Sequence, residues 1–207
     1  MIEPPGLDGS ALPFFNTMKK LIESLSEITA VPGFREYDSD LNWEYEGPEG
    51  RIKTTSSDSF SVDYEWSKSG LNQRFLLKDA TTAVNEILPA RTFIHYPDWL
   101  AAKDSGSVLA GVDSDSGLLL AESSQEFEIA LKNHPELMGE IFPLLHPKSF
   151  RMDGEPVRHK ILDLMGDLAL LGLALPRLHI EIRNGGHALN HLLLEQLLLN
   201  KTGATSP

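Results

Sequence analysis

The sequence predicts an α+β fold, in which helix-like and strand-like segments occupy largely separate stretches of the chain. The strongest strand pattern covers 60–66, where large apolar residues alternate with polar ones. Apolar residues recur at helical spacing over 155–172 and again over 187–200. These three patterns together indicate a mixed class rather than an all-helical or all-strand fold.

The first half of the chain is predicted to contain one helix followed by strands. Apolar positions recur at helical spacing from 13 to 28, with a proline in the first turn. Strand character then appears at 41–45, 51–54 and 60–66, and these three segments suggest an antiparallel meander. A further short strand is predicted at 73–77.

The middle of the chain is predicted to consist of short elements. Asp79 is placed to cap a short helix, residues 90–94 are expected to be extended, and a helical turn begins at Pro97. Aspartates alternate within the small-residue stretch 106–117, as they do in calcium loops, but no glutamate occupies the bidentate position. We therefore interpret this stretch as a hairpin or loop.

The last third of the chain adds one more predicted strand to the two long helices. Residues 122–150 are expected to be helical and partly acidic, interrupted by three prolines, with His134 and His146 as ordinary surface histidines. A strand is expected at 178–183, where apolar and polar residues alternate. Residues 201–207 are expected to form a fraying tail.

Composition excludes several classes of protein. The 207 residues carry a net charge of −12, and no run of lysine or arginine is long enough to follow a phosphate backbone, so nucleic acid is not expected as a partner. No apolar run approaches the ~20 residues needed to span a bilayer. The absence of cysteine excludes disulfides and thiolate metal ligands, and it favours a cytoplasmic location.

A polar stripe lies along the helix predicted at 155–172. His159, Asp163 and Asp167 fall on successive turns, within about 80° of one another around the helix axis, at the border of the apolar face. A histidine and an aspartate four residues apart can direct a ring nitrogen and a carboxylate oxygen at one metal ion. The alternative is a solvated helix face without a ligand, and the spacing alone does not decide between the two.

A second pair of histidines begins the last predicted helix. His187 follows two glycines at the helix start, where exposed N–H groups favour developing negative charge. His191 stands one turn later, so the two histidines form a rival metal pair, unless His191 merely packs at the edge of the helix. The sequence contains no Gly-x-Ser-x-Gly elbow, Walker loop or dinucleotide fingerprint, so these common catalytic motifs support no alternative.

Longer motifs link the chain to a known family. The stretch 157–168, Val-Arg-His-Lys-Ile-Leu-Asp-Leu-Met-Gly-Asp-Leu, followed by Gly-His-Ala-Leu-Asn at 186–190, closely resembles the carboxy-terminal domain of UDP-3-O-acyl-N-acetylglucosamine deacetylase, the zinc amidohydrolase of lipid A synthesis. Segments 71–74 and 90–93 match further family segments in the same order, and 7–14 resembles the turn that closes the family's first domain. The resemblance implies a two-layer sandwich, in which helices pack on a mixed β-sheet.

The same resemblance implies a metal site and an acid catalyst. It makes His159 and Asp163 ligands of a zinc ion. It makes His187 the charged imidazole that stabilises the oxyanion and protonates the leaving amine, and it gives Asp167 the role of orienting His187. Zinc lowers the pKa of bound water towards ~7 and polarises the amide, so these roles are chemically consistent.

Three further residues would face the substrate under this resemblance, which implies UDP-3-O-acyl-N-acetylglucosamine as that substrate. Thr92 would help to polarise the acetyl carbonyl, and Phe93 would line the sugar-nucleotide cleft. Lys160 would lie near the diphosphate.

The chain also departs from the family pattern. The family's third zinc ligand and its general-base glutamate stand together as a Glu-His pair, and this sequence contains no Glu-His dipeptide. His191 stands where the family usually has asparagine. We expect residues 1–32 to be a remnant of the family's first domain, 33–200 to form its second domain with a longer segment at 122–150, and 201–207 to be the tail.

Two functional interpretations follow. The first is an incomplete or split form of the zinc-dependent deacetylase, with a separate amino-terminal domain or a full-length deacetylase as partner. The second is a non-catalytic relative, which either binds sugar nucleotides or acyl chains or acts as a partner module of a full-length deacetylase. In either case the apolar side of the 13–28 helix is expected to be exposed, which favours association.

Overall fold

The computed structural model of the protein describes residues 10–24, 35–48, 50–105, 117–172 and 174–202. The helices within them are α1 (Leu12–Ser24), α2 (Ala83–Glu86), α3 (Tyr96–Asp104), α4 (Ser124–Asn133), α5 (Glu155–Ala169) and α6 (His187–Thr202). The strands are β1 (Arg35–Asp38), β2 (Trp43–Gly47), β3 (Gly50–Ser56), β4 (Ser61–Trp66), β5 (Gln73–Leu77), β6 (Phe93–His95), β7 (Leu118–Leu120), β8 (Leu144–His146) and β9 (Ala174–Arg183).

The central strand of the larger sheet is β9. The strand order is β2-β3-β9-β4-β5, and β1 pairs with the first residues of β9. Strand β3 runs antiparallel to β9, whereas β1 and β4 run parallel to it. The predicted meander is confirmed for β2 and β3, which pair antiparallel, but it is wrong for β4, because β9 lies between β3 and β4. Alternation along a strand indicates which face is buried, but it does not identify the neighbouring strand.

Helices α5 and α6 cover one face of this mixed sheet. Helix α5 contacts β4, β5 and β9, and α6 contacts α5 and β3. The main core lies between these helices and the sheet. The apolar face of α5 is buried as its spacing predicts, through Val157, Ile161, Leu164, Met165 and Leu168. The α+β fold with helices packed on a mixed sheet is thus confirmed.

The opposite face of the larger sheet is charged and forms cross-strand ion pairs. Arg74 of β5 pairs with Asp63 of β4, and Lys53 of β3 lies 3.8 Å from Glu181 of β9. These side chains alternate with the buried residues of the same strands, as expected for a sheet with one solvated face.

A smaller sheet is formed by β6, β7 and β8, and it has a core of its own. Strand β7 runs parallel to β6 and antiparallel to β8. The second core surrounds Tyr96 and Trp99 of α3 and Ala130 of α4. Its presence corrects the prediction for 122–150, because only α4 is helical there and Leu144–His146 form a strand.

The two histidines of this segment are not ordinary surface residues. His146 is only 7% exposed, because strand β8 places its side chain in the interior. The ring of His134 is half-buried and meets the rings of Tyr96 and Trp99 edge-on. The sequence prediction is wrong for His146 because the prolines around it flank a short buried strand rather than an exposed loop.

Several predicted boundaries shift by a few residues. Helix α1 ends at Ser24, and residues 25–28 lie outside the described residues, as does most of 106–117 with its aspartates. Helix α5 ends at Ala169 rather than at 172, because a hydrogen-bonded turn follows it. Helix α6 extends to Thr202, so the tail predicted at 201–207 cannot begin before 203.

Asp79 caps a short 3-10 turn before α2, as predicted, by accepting a hydrogen bond from the backbone N–H of Thr81 at 2.8 Å. Among the described helices, none has both the length and the apolar character required to cross a membrane.

Candidate active site

The start of α5 is determined by its flanking residues. Gly154 adopts φ +63°, a left-handed conformation that favours glycine. Pro156 occupies the first turn, where its missing N–H has no partner to lose, and the N–H of Val157 donates to Gln73 Oε1 at 3.2 Å. The register of α5 is therefore well defined, and with it the direction of the polar stripe.

His159 and Asp163 face each other on successive turns of α5. The Nε2 atom of His159 lies 3.3 Å from Oδ1 of Asp163. The Nδ1 atom of His159 lies 3.1 Å from the carbonyl oxygen of Ala90, which can only accept a hydrogen bond. The contact with Ala90 therefore requires a proton on Nδ1, and Nε2 is the ring nitrogen that faces the carboxylate.

The carboxylate of Asp163 is ionised over a wide pH range. Burial raises its pKa, but the hydrogen bond from His159 and the charge of Lys160 outweigh burial and lower the pKa to about 2. Lys160 Nζ lies 2.9 Å from Oδ2 of Asp163 and 4.9 Å from the centre of the Phe93 ring. The Phe93 ring also meets the ring of His159 edge-on. Four of the predicted site residues therefore form one cluster.

The donor set of His159 and Asp163 fits one side of a zinc site. Two donors bound to one zinc ion at ~2.1 Å in tetrahedral geometry stand roughly 3.4 Å apart, close to the 3.3 Å observed. The part of the chain that the structure describes contains no group of three histidine, aspartate or glutamate side chains placed to hold a metal ion. The two residues thus fit half of a metal site.

His187 and Asp167 form a hydrogen-bonded pair next to this half-site. The Nδ1 atom of His187 donates to Oδ2 of Asp167 at 2.8 Å, and Nε2 of His187 lies 3.9 Å from Oδ2 of Asp163. Asp167 is largely buried, whereas His187 is 59% exposed. An imidazole held in this way can keep a proton on the nitrogen that faces the half-site, as general acid catalysis requires.

Gly185 allows α6 to begin close to the sheet. A Cβ atom at this position would lie 2.8 Å from both Ile182 Cγ2 and Leu189 Cδ2, so only glycine fits without displacing core residues. Its neighbour Asn184 adopts φ +54°. This tight passage places His187 at the first position of α6, opposite Asp167.

Asn190 is a site residue to which the sequence interpretation assigned no role. It is buried, and its Nδ2 donates to Oδ2 of Asp167 at 2.8 Å, so it holds the same carboxylate oxygen as His187 does. The sequence did contain a signal for Asn190. It follows His187 by three residues in a leucine-rich helix, so the two polar side chains lie on one face. The sequence analysis also gave no role to Ala90, because its contact is made by the backbone carbonyl, which every residue type has.

The remaining predicted residues lie at the edge of the cluster. His191 is exposed, and its Nε2 lies 4.0 Å from Oδ1 of Asp167. Its ring centre lies 6.4 Å from that of His187. Thr92 is exposed and directly precedes Phe93, and its carbonyl accepts a hydrogen bond from the N–H of Leu118.

Comparison with known proteins shows which family has a similar sequence in this region. A family model described as UDP-3-O-acyl N-acetylglycosamine deacetylase matches residues 137–199, which include α5, β9 and most of α6. The UDP-3-O-acyl-N-acetylglucosamine deacetylase of Aquifex aeolicus is 32% identical over 200 residues, or 94% of this chain. That of Syntrophotalea carbinolica is 28% identical over 215 residues, or 96% of this chain. The chain belongs to this deacetylase family.

The match covers only part of each relative. The chain spans 60% of the Aquifex aeolicus deacetylase and 57% of the Syntrophotalea carbinolica deacetylase. A Chlorobaculum tepidum relative named bifunctional enzyme LpxC/FabZ is 28% identical over 209 residues, which cover 43% of its length. Relatives in this deacetylase family thus carry substantial sequence beyond the region shared with this chain.

Proposed function

We propose that the chain provides the carboxy-terminal half of a zinc-dependent deacetylase site, acting on UDP-3-O-acyl-N-acetylglucosamine in lipid A biosynthesis. The observation that carries the proposal is that the His187–Asp167 pair lies next to the half-site formed by His159 and Asp163. The deacetylase names of the relatives support the same assignment. The third metal ligand and the general base would come from outside these 207 residues, such as from an amino-terminal domain or a full-length deacetylase.

In this proposal His159 and Asp163 would hold the zinc ion, which would supply Lewis acidity and lower the pKa of a bound water. His187 begins the reaction protonated, and Asp167 stabilises its positive charge. The Nε2–H group of His187 then stabilises the negative charge that develops on the carbonyl oxygen, and its proton passes to the leaving amine. Thr92 would donate a hydrogen bond from its hydroxyl group to the same carbonyl oxygen.

Lys160 and Phe93 would contact the sugar nucleotide. The Lys160 ammonium group pairs with Asp163 in this structure, so binding a diphosphate requires that it leave this carboxylate. A metal ion bound to Asp163 would favour such a movement, because it neutralises the same charge. Phe93 offers an aromatic face beside the half-site.

The test is turnover of UDP-3-O-acyl-N-acetylglucosamine with zinc present. The 207-residue chain is assayed alone and together with the part of the Aquifex aeolicus deacetylase that lies outside the matched region. We expect activity only in the mixture, and we expect the His187→Ala and Asp163→Ala variants to abolish it. Unchanged activity in both variants would refute the proposal.

A second candidate function is a non-catalytic module that binds sugar nucleotides or acyl chains. It is favoured by the lack of a third metal-binding side chain at the half-site among the described residues, and by the absence of a Glu-His dipeptide from the sequence. Calorimetry distinguishes the two. Binding of the UDP-sugar without turnover, even in the mixture, would favour the module.

A further inference from the structure

A buried carboxylate at the start of α5 binds two separate segments of the chain. Glu155 is completely buried, and its Oε1 accepts hydrogen bonds from the backbone N–H of Arg91 at 3.0 Å and from Nε of Arg91 at 2.8 Å. Its Oε2 accepts from Nη2 of Arg91 at 2.9 Å and from the N–H of Arg151 at 2.7 Å. Both oxygens of the carboxylate are therefore engaged by donors of the protein.

Hydrogen bonds from the surrounding protein stabilise the charged forms of Arg91 and Glu155. Burial raises the pKa of Glu155, but the hydrogen bonds from Arg91 and Arg151 outweigh burial and lower it below its usual value. The Nη2 atom of Arg91 also donates to the carbonyl oxygen of Ser149 at 3.2 Å. A bidentate arginine–carboxylate pair restricts geometry more strongly than a single hydrogen bond does.

The segment held by Glu155 is also the segment that orients His159. Ala90 directly precedes Arg91, and its carbonyl accepts the Nδ1–H of His159. Residues 90 and 91 are thus joined to residues 159 and 155, which lie one helical turn apart on α5. The two contacts form adjacent cross-links between one extended segment and one helix, and Thr92 is the next residue in that segment.

We propose that Arg91 and Glu155 are positioning residues, which set the ring orientation of His159 through the Ala90 carbonyl and hold Thr92 at a constant distance from α5. The role of Thr92 rests on the proposed function. The orientation of His159 does not, because it follows from contacts within this chain. Loss of the Arg91–Glu155 ion pair would free the Ala90 carbonyl and release the ring.

The experiment observes His159 directly. Long-range ¹H–¹⁵N correlation spectra of the 207-residue chain report which ring nitrogen of His159 carries the proton, and His159→Gln identifies the signal. We expect the Nδ1–H form in the wild-type chain and a mixture of both forms in Glu155→Gln. A titration with Zn²⁺ alone is expected to show affinity at least ~10-fold weaker in the variant.

Two control variants separate positioning from general destabilisation. Glu86→Gln removes the 2.7 Å pair between Glu86 and Arg158, which is also on α5, without touching residues 90–92. It should leave the His159 spectrum unchanged. The double variant Arg91→Leu with Glu155→Leu removes both charges, so it should recover much of the stability lost in Glu155→Gln while still showing mixed His159 forms.

The His159 spectra test the positioning role of Arg91 and Glu155 without a measurement of catalytic activity. A wild-type His159 spectrum in folded Glu155→Gln would overturn it, and so would an equal change in Glu86→Gln. If the mixture with the Aquifex aeolicus segment shows no turnover, the proposed function loses its support, but the spectra of His159 still test the positioning role.

Discussion

Two carboxylates of helix α5, those of Glu155 and Asp163, have different surroundings. At the start of the helix, Glu155 is fully buried and both of its oxygens accept bonds from Arg91 and Arg151. Two turns later, Asp163 is 15% exposed, and it contacts side chains that can move or exchange partners. The first carboxylate is suited to structure and the second to ligand binding, although both are ionised and both lie on one helix.

The difference teaches how a ligand site is supported in this fold. A carboxylate whose lone pairs are all occupied by the protein fixes the backbone around it. A carboxylate bound by His159 and Lys160 keeps capacity for a metal ion, because a metal ion can replace the positive charge of Lys160. The four predictions below test this contrast, in order of expected effect on the free energy of unfolding.

The largest effect is expected when Arg91 is replaced. Arg91→Met leaves the Glu155 carboxylate buried without its countercharge, which typically costs about 3–5 kcal/mol in the free energy of unfolding. Urea denaturation at pH 7 measures the loss. A cost below ~1 kcal/mol would mean that water reaches Glu155 and that the contrast with Asp163 is overstated.

A smaller effect is expected from Asp163→Asn, with a defined pH dependence. The pKa of Asp163 is lowered from 3.8 to about 2, so its ionised form stabilises the folded state above the usual carboxylate pKa. That contribution is lost as pH falls from about 4 to about 2, and it amounts to roughly 2 kcal/mol at pH 7.

The measurement compares wild-type protein with Asp163→Asn across that pH range, using urea denaturation at each pH. The variant should be less stable at pH 7, and its stability should fall less steeply between pH 4 and pH 2. Parallel curves would show that Asp163 gains no net stabilisation from His159 and Lys160.

Asn190→Ala is expected to lower the free energy of unfolding by about 1 kcal/mol. It removes one donor to the buried Asp167 carboxylate but leaves the stronger contact with His187 in place. Thermal unfolding measures the loss, and Asn200→Ala, in the same helix but at its exposed end, is the control. Equal effects in both variants would argue against a role for Asn190 in holding Asp167.

The smallest effect on stability is expected at the apolar side of α1. Phe14, Met18 and Leu21 are exposed on one side of this helix, as the sequence predicted. Met18→Gln should change the free energy of unfolding by no more than ~0.5 kcal/mol. It should, however, reduce self-association in analytical ultracentrifugation if this side is where copies or partners meet.

A stability loss above ~1 kcal/mol in Met18→Gln would show that the side chain is packed in solution. Lys19→Gln, at the next position of α1, provides the control for a surface change without loss of apolar area.

Much of the site was accessible from the sequence because its parts lie on single helices. His159, Asp163 and Asp167 repeat at helical spacing, and the buried face of α5 follows the same period. The two glycines before His187 marked the helix start in the sequence, whereas the packing of Gly185 against Ile182 and Leu189 is visible only in the structure. Local periodicity is a property of neighbouring residues, and therefore it can be read without a partner.

The sheet order and the small sheet could not be obtained in this way. Strand β9 lies between β3 and β4, although it follows them by more than a hundred residues in the chain. His146 was assigned to the surface because prolines flank it, yet strand β8 turns it inward. Short strands contain too few residues to establish a period against the background of turns.

The sequence by itself determined the α+β class, the apolar and polar faces of α5, and the residue types capable of acid–base and metal chemistry. Only the tertiary structure decided which distant groups bind and orient these residues. The Arg91–Glu155 pair joins positions 64 residues apart, and the contact between His159 and the Ala90 carbonyl joins positions 69 residues apart. Such contacts depend on how distant segments pack, because a hydrogen bond forms only where the fold brings donor and acceptor within about 3 Å.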